Sequence, residues 1–140
     1  MGRAVRVRDD LVIPASEIAL QYVRASGPGG QNVNKVASKA VLRFNVRDSP
    51  SLAAADRERA LARLASRLTT GGELVLASGV YRDQSRNREA VLARLATVLR
   101  TALRPPRTRR KTRPSRAAVE RRLAAKRARA ERKRERRSLD

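Results

Sequence analysis

The residues with the most chemistry to offer lie between Arg24 and Val46. The segment reads Arg24-Ala-Ser-Gly-Pro-Gly-Gly-Gln31-Asn-Val-Asn-Lys35-Val-Ala-Ser-Lys39, followed by Ala-Val-Leu-Arg-Phe-Asn-Val46. Three glycines and a proline occupy the four positions 27–30. Such a cluster excludes a helix interior or a central strand, because glycine costs backbone entropy and proline lacks a donor. The segment is a loop, with Gln31 at its tip and Asn32 and Asn34 just beyond. Amide side chains beside bare backbone N–H groups suit two tasks: holding an anion in a nest of N–H groups, or placing water and a developing oxyanion at a reacting carbonyl. The Gln31 amide has no basic atom at neutral pH, so it can orient but cannot take a proton. An isolated Gly-Gly-Gln would be an ordinary loop; its setting gives it weight.

Strands must flank such a loop, and the pattern supplies them. Leu11-Val-Ile-Pro14 reads as a short edge strand stopped by proline. Over Glu17–Ala25, Ile18, Leu20 and Tyr22 alternate with Ala19, Gln21 and Val23, the mark of a half-buried strand. After the loop, Lys39–Arg47 places Ala40, Leu42, Phe44 and Val46 on one face. Lys39, Arg43, Asn45 and Arg47 share the other with Val41, which predicts a strand with a core face and a basic face. Ser49-Pro50 suggests a helix start, with Leu61, Leu64 and Leu68 at helical spacing over Leu52–Leu68 and Gly71-Gly72 as its stop. Leu74–Val80 reads as a further strand. A second helix is expected over about 86–103, with Val91, Leu92, Leu95, Val98, Leu99, Ala102 and Leu103 as its apolar stripe. Residues 1–10 read as charged and loosely held. The order gives a small α+β domain over 1–103, its helices on one face of a mixed or antiparallel sheet.

Composition narrows the partner. The 140 residues carry a net charge of +21, from 34 basic and 13 acidic side chains. Such a charge says little about fold but favours a polyanion, nucleic acid before anionic membrane. No stretch pairs the basic charge with a large apolar face or approaches a membrane span, and the N-terminus lacks a signal-peptide core. The expectation is a cytoplasmic protein without membrane partners. The absence of cysteine and histidine excludes disulfides, Cys/His zinc sites and histidine-based triads, and no cofactor or metal is expected. Tyr22, Phe44 and Tyr81 are the only aromatics, too few for a base-stacking platform, so phosphate contacts and shape should dominate binding.

From Arg104 the composition changes: 17 basic and four acidic residues give residues 104–140 a net +13. Residues 104–114 are proline-broken and read as a linker. In the basic tail, 115–140, residues 115–137 are rich in Ala and Arg but offer only Val119 and Leu123 as sizeable apolar groups. The prediction is a tail disordered in isolation and helical against phosphates.

The segment Gly-Pro-Gly-Gly-Gln-Asn-Val-Asn-Lys, with Arg-Ala-Ser before it and Ser-Lys-Ala-Val-Leu-Arg-Phe after, resembles the catalytic segment of class I peptide-chain release factors. It most resembles their codon-independent ribosome-rescue peptidyl-tRNA hydrolases, of the alternative ribosome-rescue factor B type. The resemblance extends to Tyr81-Arg-Asp-Gln-Ser-Arg-Asn-Arg-Glu89, to Thr112–Ala117 and to Glu120–Leu123. It implies an ester hydrolase acting on P-site peptidyl-tRNA on a 70S-type ribosome. Gly29, Gly30 and Gln31 would sit in the peptidyl-transferase centre, and the chain would be a monomer off the ribosome. Arg24, Lys35, Lys39 and Arg43 become candidates for holding rRNA around the loop. The tail would thread the vacant mRNA channel of the small subunit, with Arg113, Arg116, Arg122, Leu123 and Lys126 as contacts, and Arg109, Arg110 and Lys111 are further RNA-binding candidates. Asn32 departs from the histidine common there in relatives, and Arg132–Asp140 is less like the family. A non-catalytic rRNA-binding or ribosome-assembly protein on the same scaffold is the alternative.

Overall fold

The computed structural model describes residues 2–24 and 37–138. It divides into two compact units, Met1–Pro105 and Pro106–Asp140.

Among its described residues the first unit is α+β, with two antiparallel sheets, two α-helices and a short 3-10 turn at Ala15–Glu17. Strand β3 (Ile18–Val23) pairs with β4 (Lys39–Asn45), and β4 with β5 (Glu73–Ser78), giving the antiparallel order β3-β4-β5. The register runs from Ile18 opposite Phe44 to Val23 opposite Lys39. Period-two side-chain placement sends Ala40, Leu42 and Phe44 to one face, and all three, with Val46 just beyond the strand, are fully buried. Helix α2 (Gln84–Leu103) covers that face, packing on β4 and β5 and on β1. Val91, Leu95 and Leu99 are fully buried beneath it; Leu92, Ala102 and Leu103 are buried nearby, and Val98 packs at the margin. The apolar stripe thus forms the helix–sheet seam expected of it.

Residues 1–10 differ from the sequence reading. Val5–Arg8 form strand β1, which pairs antiparallel with β2 (Leu11–Ile13) across a register irregularity between Arg6 and Arg8. Val5, Val7, Leu11 and Ile13 are buried in the same core. The ribbon is fastened by charge as well. Arg8 Nη2 donates to Asp56 Oδ2 at 2.6 Å, Arg59 Nη1 to Asp56 Oδ1 at 3.1 Å, and Arg100 Nε to the Val7 carbonyl at 2.8 Å. Asp56, and Asp10 after it, hold the Arg8 guanidinium more firmly protonated than usual.

The first helix is also shorter than its leucines suggest. α1 spans Ala54–Arg63, not Leu52–Leu68. Its expected cap is engaged elsewhere: the Ser49 and Ser51 hydroxyls both donate to the Glu17 carboxylate. Arg57 Nη2 meanwhile donates to the Ser49 and Leu52 carbonyls, holding 49–52 as a turn. At the other end Leu68 bridges to Leu74, which requires extended backbone and unwinds the chain after Leu64. Gly71-Gly72 therefore close a turn into β5 rather than stop the helix. Gly72 has φ +84°, its N–H bonded to the Thr69 carbonyl and its own carbonyl to the Val46 N–H.

In the second unit, Arg116–Ser138 form helix α3, with no buried residue. Ser115 caps it, its Oγ accepting from the Ala118 N–H at 3.2 Å. The helix is the conformation expected of the tail against phosphates, and a run of strong helix formers and the Arg116–Glu120 pair at 3.5 Å accompany it.

Candidate functional site

Gly29, Gly30, Gln31 and Lys35 lie outside the described residues. What the structure describes is the frame from which their segment leaves and returns. β3 ends at Val23 and β4 begins at Lys39, and these two residues are register partners. The candidate catalytic segment is therefore carried between adjacent ends of the edge strand β3, whose inner face packs half-buried on the core, and the central strand β4, whose inner face is fully buried. A loop held by such a frame has its ends fixed by the sheet.

The candidate basic residues divide. Arg24, exposed, follows β3 directly, and Lys39, half-buried, opens β4. These two stand together at the loop's base. Arg43 sits further along the outer face of β4, where its Nη1 lies 3.5 Å from Glu73 Oε2. That face also carries Val75, Ala77, Ala19 and Val23 from its neighbours. It is more mixed than the basic face read from β4 alone, because cross-strand neighbours were invisible in the sequence. In the second unit Arg109, Arg110, Lys111 and Arg113 are exposed ahead of α3. Arg116, Arg122, Leu123 and Lys126 are exposed on it.

Two further residues bear on the loop's base. Asn87, in the first turn of α2, is fully buried. Its Nδ2 donates to the Ser38 carbonyl at 2.8 Å and to the Tyr81 carbonyl at 2.8 Å. Its Oδ1 accepts from the Tyr81 N–H at 3.0 Å and from Ser78 Oγ at 3.3 Å. Gln84 Nε2 donates to the Ala37 carbonyl at 3.0 Å. Close by, the Arg86 guanidinium lies 4.7 Å from the Tyr81 ring centre. Asn87 and Gln84 belong to the stretch Tyr81–Glu89 already singled out, but no role for either at the loop's base followed from the sequence, since the carbonyls they meet there lie 49 and 47 residues away.

Among the described residues at the loop's base none is a nucleophile paired with a base; the Ser49 and Ser51 hydroxyls bonded to Glu17 lie beyond the far ends of β3 and β4. The chemistry open to such a site is placement: backbone donors, an amide and fixed loop ends, with cations to hold phosphates. Among the described residues, no helix is long and apolar enough to cross a membrane.

These features match a family. The RF-1 domain model matches residues 7–140, and the chain belongs to that family. It is 42% identical over 120 residues to peptidyl-tRNA hydrolase ArfB of Pseudomonas putida, covering 86% of this chain and 87% of the relative. It is 36% identical over 94 residues to the large ribosomal subunit protein mL62 of Mus musculus, covering 67% of this chain and 46% of that one. To peptide chain release factor 1 of Bacteroides fragilis it is 34% identical over 90 residues, which is 64% of this chain and 20% of the relative.

Proposed function

We propose that this chain is a peptidyl-tRNA hydrolase that rescues stalled ribosomes. The observation that carries the reading is its 42% identity, over most of both chains, to a protein named for that activity. Gly29, Gly30 and Gln31 enter the peptidyl-transferase centre, and the ester cleaved joins the nascent peptide to the P-site tRNA. With no histidine or cysteine in the chain, the protein contributes geometry. It admits one water, orients it with the Gln31 amide and offers backbone N–H groups to the charge developing on the carbonyl oxygen. The remaining groups come from the ribosome and the tRNA. Arg24, Lys35 and Lys39 hold rRNA phosphate around the loop. The basic tail occupies the mRNA channel when it is empty, which makes the activity independent of codon.

The Gly30→Ala variant tests the catalytic assignment. A Cβ at this position obstructs close approach of the backbone to the substrate, while most of the affinity resides in the basic surfaces. Peptide release from stalled ribosomes should fall by at least about 100-fold, in the range seen when transition-state donors are misplaced, with co-sedimentation nearly unchanged. Release at the parental rate would remove the loop from the mechanism. The likeness to mL62, named as a ribosomal subunit protein, favours a second reading, a non-catalytic ribosome-bound protein. Under that reading the parental chain binds ribosomes and releases no peptide.

A further inference from the structure

The geometry points to Asn87 and Gln84 as positioning residues that clamp the returning stem of the candidate catalytic loop, and this assignment rests on the hydrolase reading above. Ala37 and Ser38 precede the first ladder residue of β4, Lys39. Their carbonyls nevertheless accept hydrogen bonds from one helix turn: Ala37 from Gln84 Nε2, Ser38 from Asn87 Nδ2. Positions three apart on a helix lie on one face, so the two amides reach the stem as a pair. Helix α2 is in turn fixed on the sheet by fully buried Val91, Leu95 and Leu99. The stem therefore inherits its position from the most firmly packed helix of the unit.

Asn87 could be merely a structural asparagine that shapes the turn after β5. Its bonds to the Tyr81 N–H and carbonyl would serve that purpose alone. An amide has two donors and two acceptor lone pairs, and here all four are used, one donor on the loop stem. Gln84 makes the stronger case. Its bond to Ala37 is exposed, so burial does not demand it, and it has no part in the turn. Two independent amides converge on two consecutive carbonyls at the base of the loop that must place Gln31. Catalysis by placement is sensitive to displacements of an ångström, so loosening this stem should lower the rate of the chemical step more than it lowers binding.

The test uses Gln84→Met, which keeps the length of the side chain and loses the donor, and Asn87→Asp, which keeps the shape and turns both donors into acceptors. Each is measured in the full-length chain by two readouts. Hydrogen exchange over residues 37–40 should quicken in both variants, while exchange in β5 and the body of α2 stays at the parental level. In single-turnover peptide release from stalled ribosomes, the half-saturating protein concentration should stay within about twofold. The maximal rate should fall about threefold for Gln84→Met and about tenfold for Asn87→Asp, within the range that misplacement causes. Gln84→Asn, which restores a donor on a shorter arm, should recover part of the rate. Unchanged exchange over 37–40 in both variants overturns the clamp. So does faster exchange with a parental maximal rate, or a fall in rate explained wholly by weaker binding. If Asn87→Asp unfolds, Gln84→Met decides alone. A parental chain that releases no peptide overturns the hydrolase reading and the positioning role together, and Gly30→Ala run alongside separates that result from a failed clamp.

Discussion

Single residues in this molecule matter most where they fix backbone that the sheet itself leaves free. Gly72 is one such place. With φ +84°, it holds a conformation that costs residues with a Cβ about 1–2 kcal/mol. A methyl group there would also come within 2.8 Å of Arg47 Cβ. Gly72→Ala should therefore lower unfolding free energy by about 2 kcal/mol, measured as a lower urea midpoint with unchanged slope. An alanine variant as stable as the parent would contradict the strain assigned to this turn. Sequence disclosed the glycine pair but misassigned its task, because a stop signal and a tight turn share the same residues. Asn87 was harder still to read: one polar letter in a charged stretch does not disclose four hydrogen bonds, one reaching back to Ser38.

At the level of elements, regular periodicity was legible and competing local signals were not. β4 and α2 could be read because their apolar positions recur without interruption, and both lie where the pattern put them. β1 was missed although Val5 and Val7 alternate with Arg6 and Arg8, since charge density hid a pattern only four residues long. The start of α1 was misplaced because Ser49 can cap a helix or answer a distant carboxylate, and Glu17 takes it. The two strands that frame the candidate site were visible; the hydrogen bonds to Ala37 and Ser38 at its return stem were not. Asp56 shows how these elements are joined, since its carboxylate accepts from Arg8 of β1 and from Arg59 of α1. Its side chain is largely buried, while that of Arg8 is about one-third exposed, so solvent weakens the pair. Asp56→Asn should cost about 1–2 kcal/mol, and the loss should appear as faster exchange in β1 and β2 before the central sheet. Uniform destabilisation of all strands would show that the ribbon is not separately fastened.

For the whole molecule, the division of labour follows the division of charge. Residues 104–140 carry +13 of the net +21, while every residue of the core cluster lies in the first unit. A chain ending at Pro105 should fold, keeping its melting transition, yet lose most of its affinity for ribosomes. Counterion release ties affinity to the number of phosphates neutralised. The logarithmic slope of ribosome affinity against salt should therefore be much steeper for the intact chain than for the shortened one. Equal slopes would assign the affinity to the first unit and leave the tail without a binding role.

Helix α3 has a consequence that its charge alone does not convey. From Arg116 to Ser138, at about 1.5 Å per residue, it makes a rod about 35 Å long with no buried face. A helix with a seam has one correct azimuth against its partner; a rod with no buried residue has none. What such a rod can report is length and straightness, not rotational register. Exchanging cations along it should therefore be tolerated: Arg129→Lys should leave peptide release within about twofold, as expected where no bidentate contact is fixed. A kink should not be tolerated. Ala125→Pro costs a helix interior about 3 kcal/mol and should abolish most release from stalled ribosomes while preserving every charge. If the tail enters the empty mRNA channel as proposed, it would act there as a gauge: an obstacle in its path would shorten the reach available to it, whatever the obstacle's sequence.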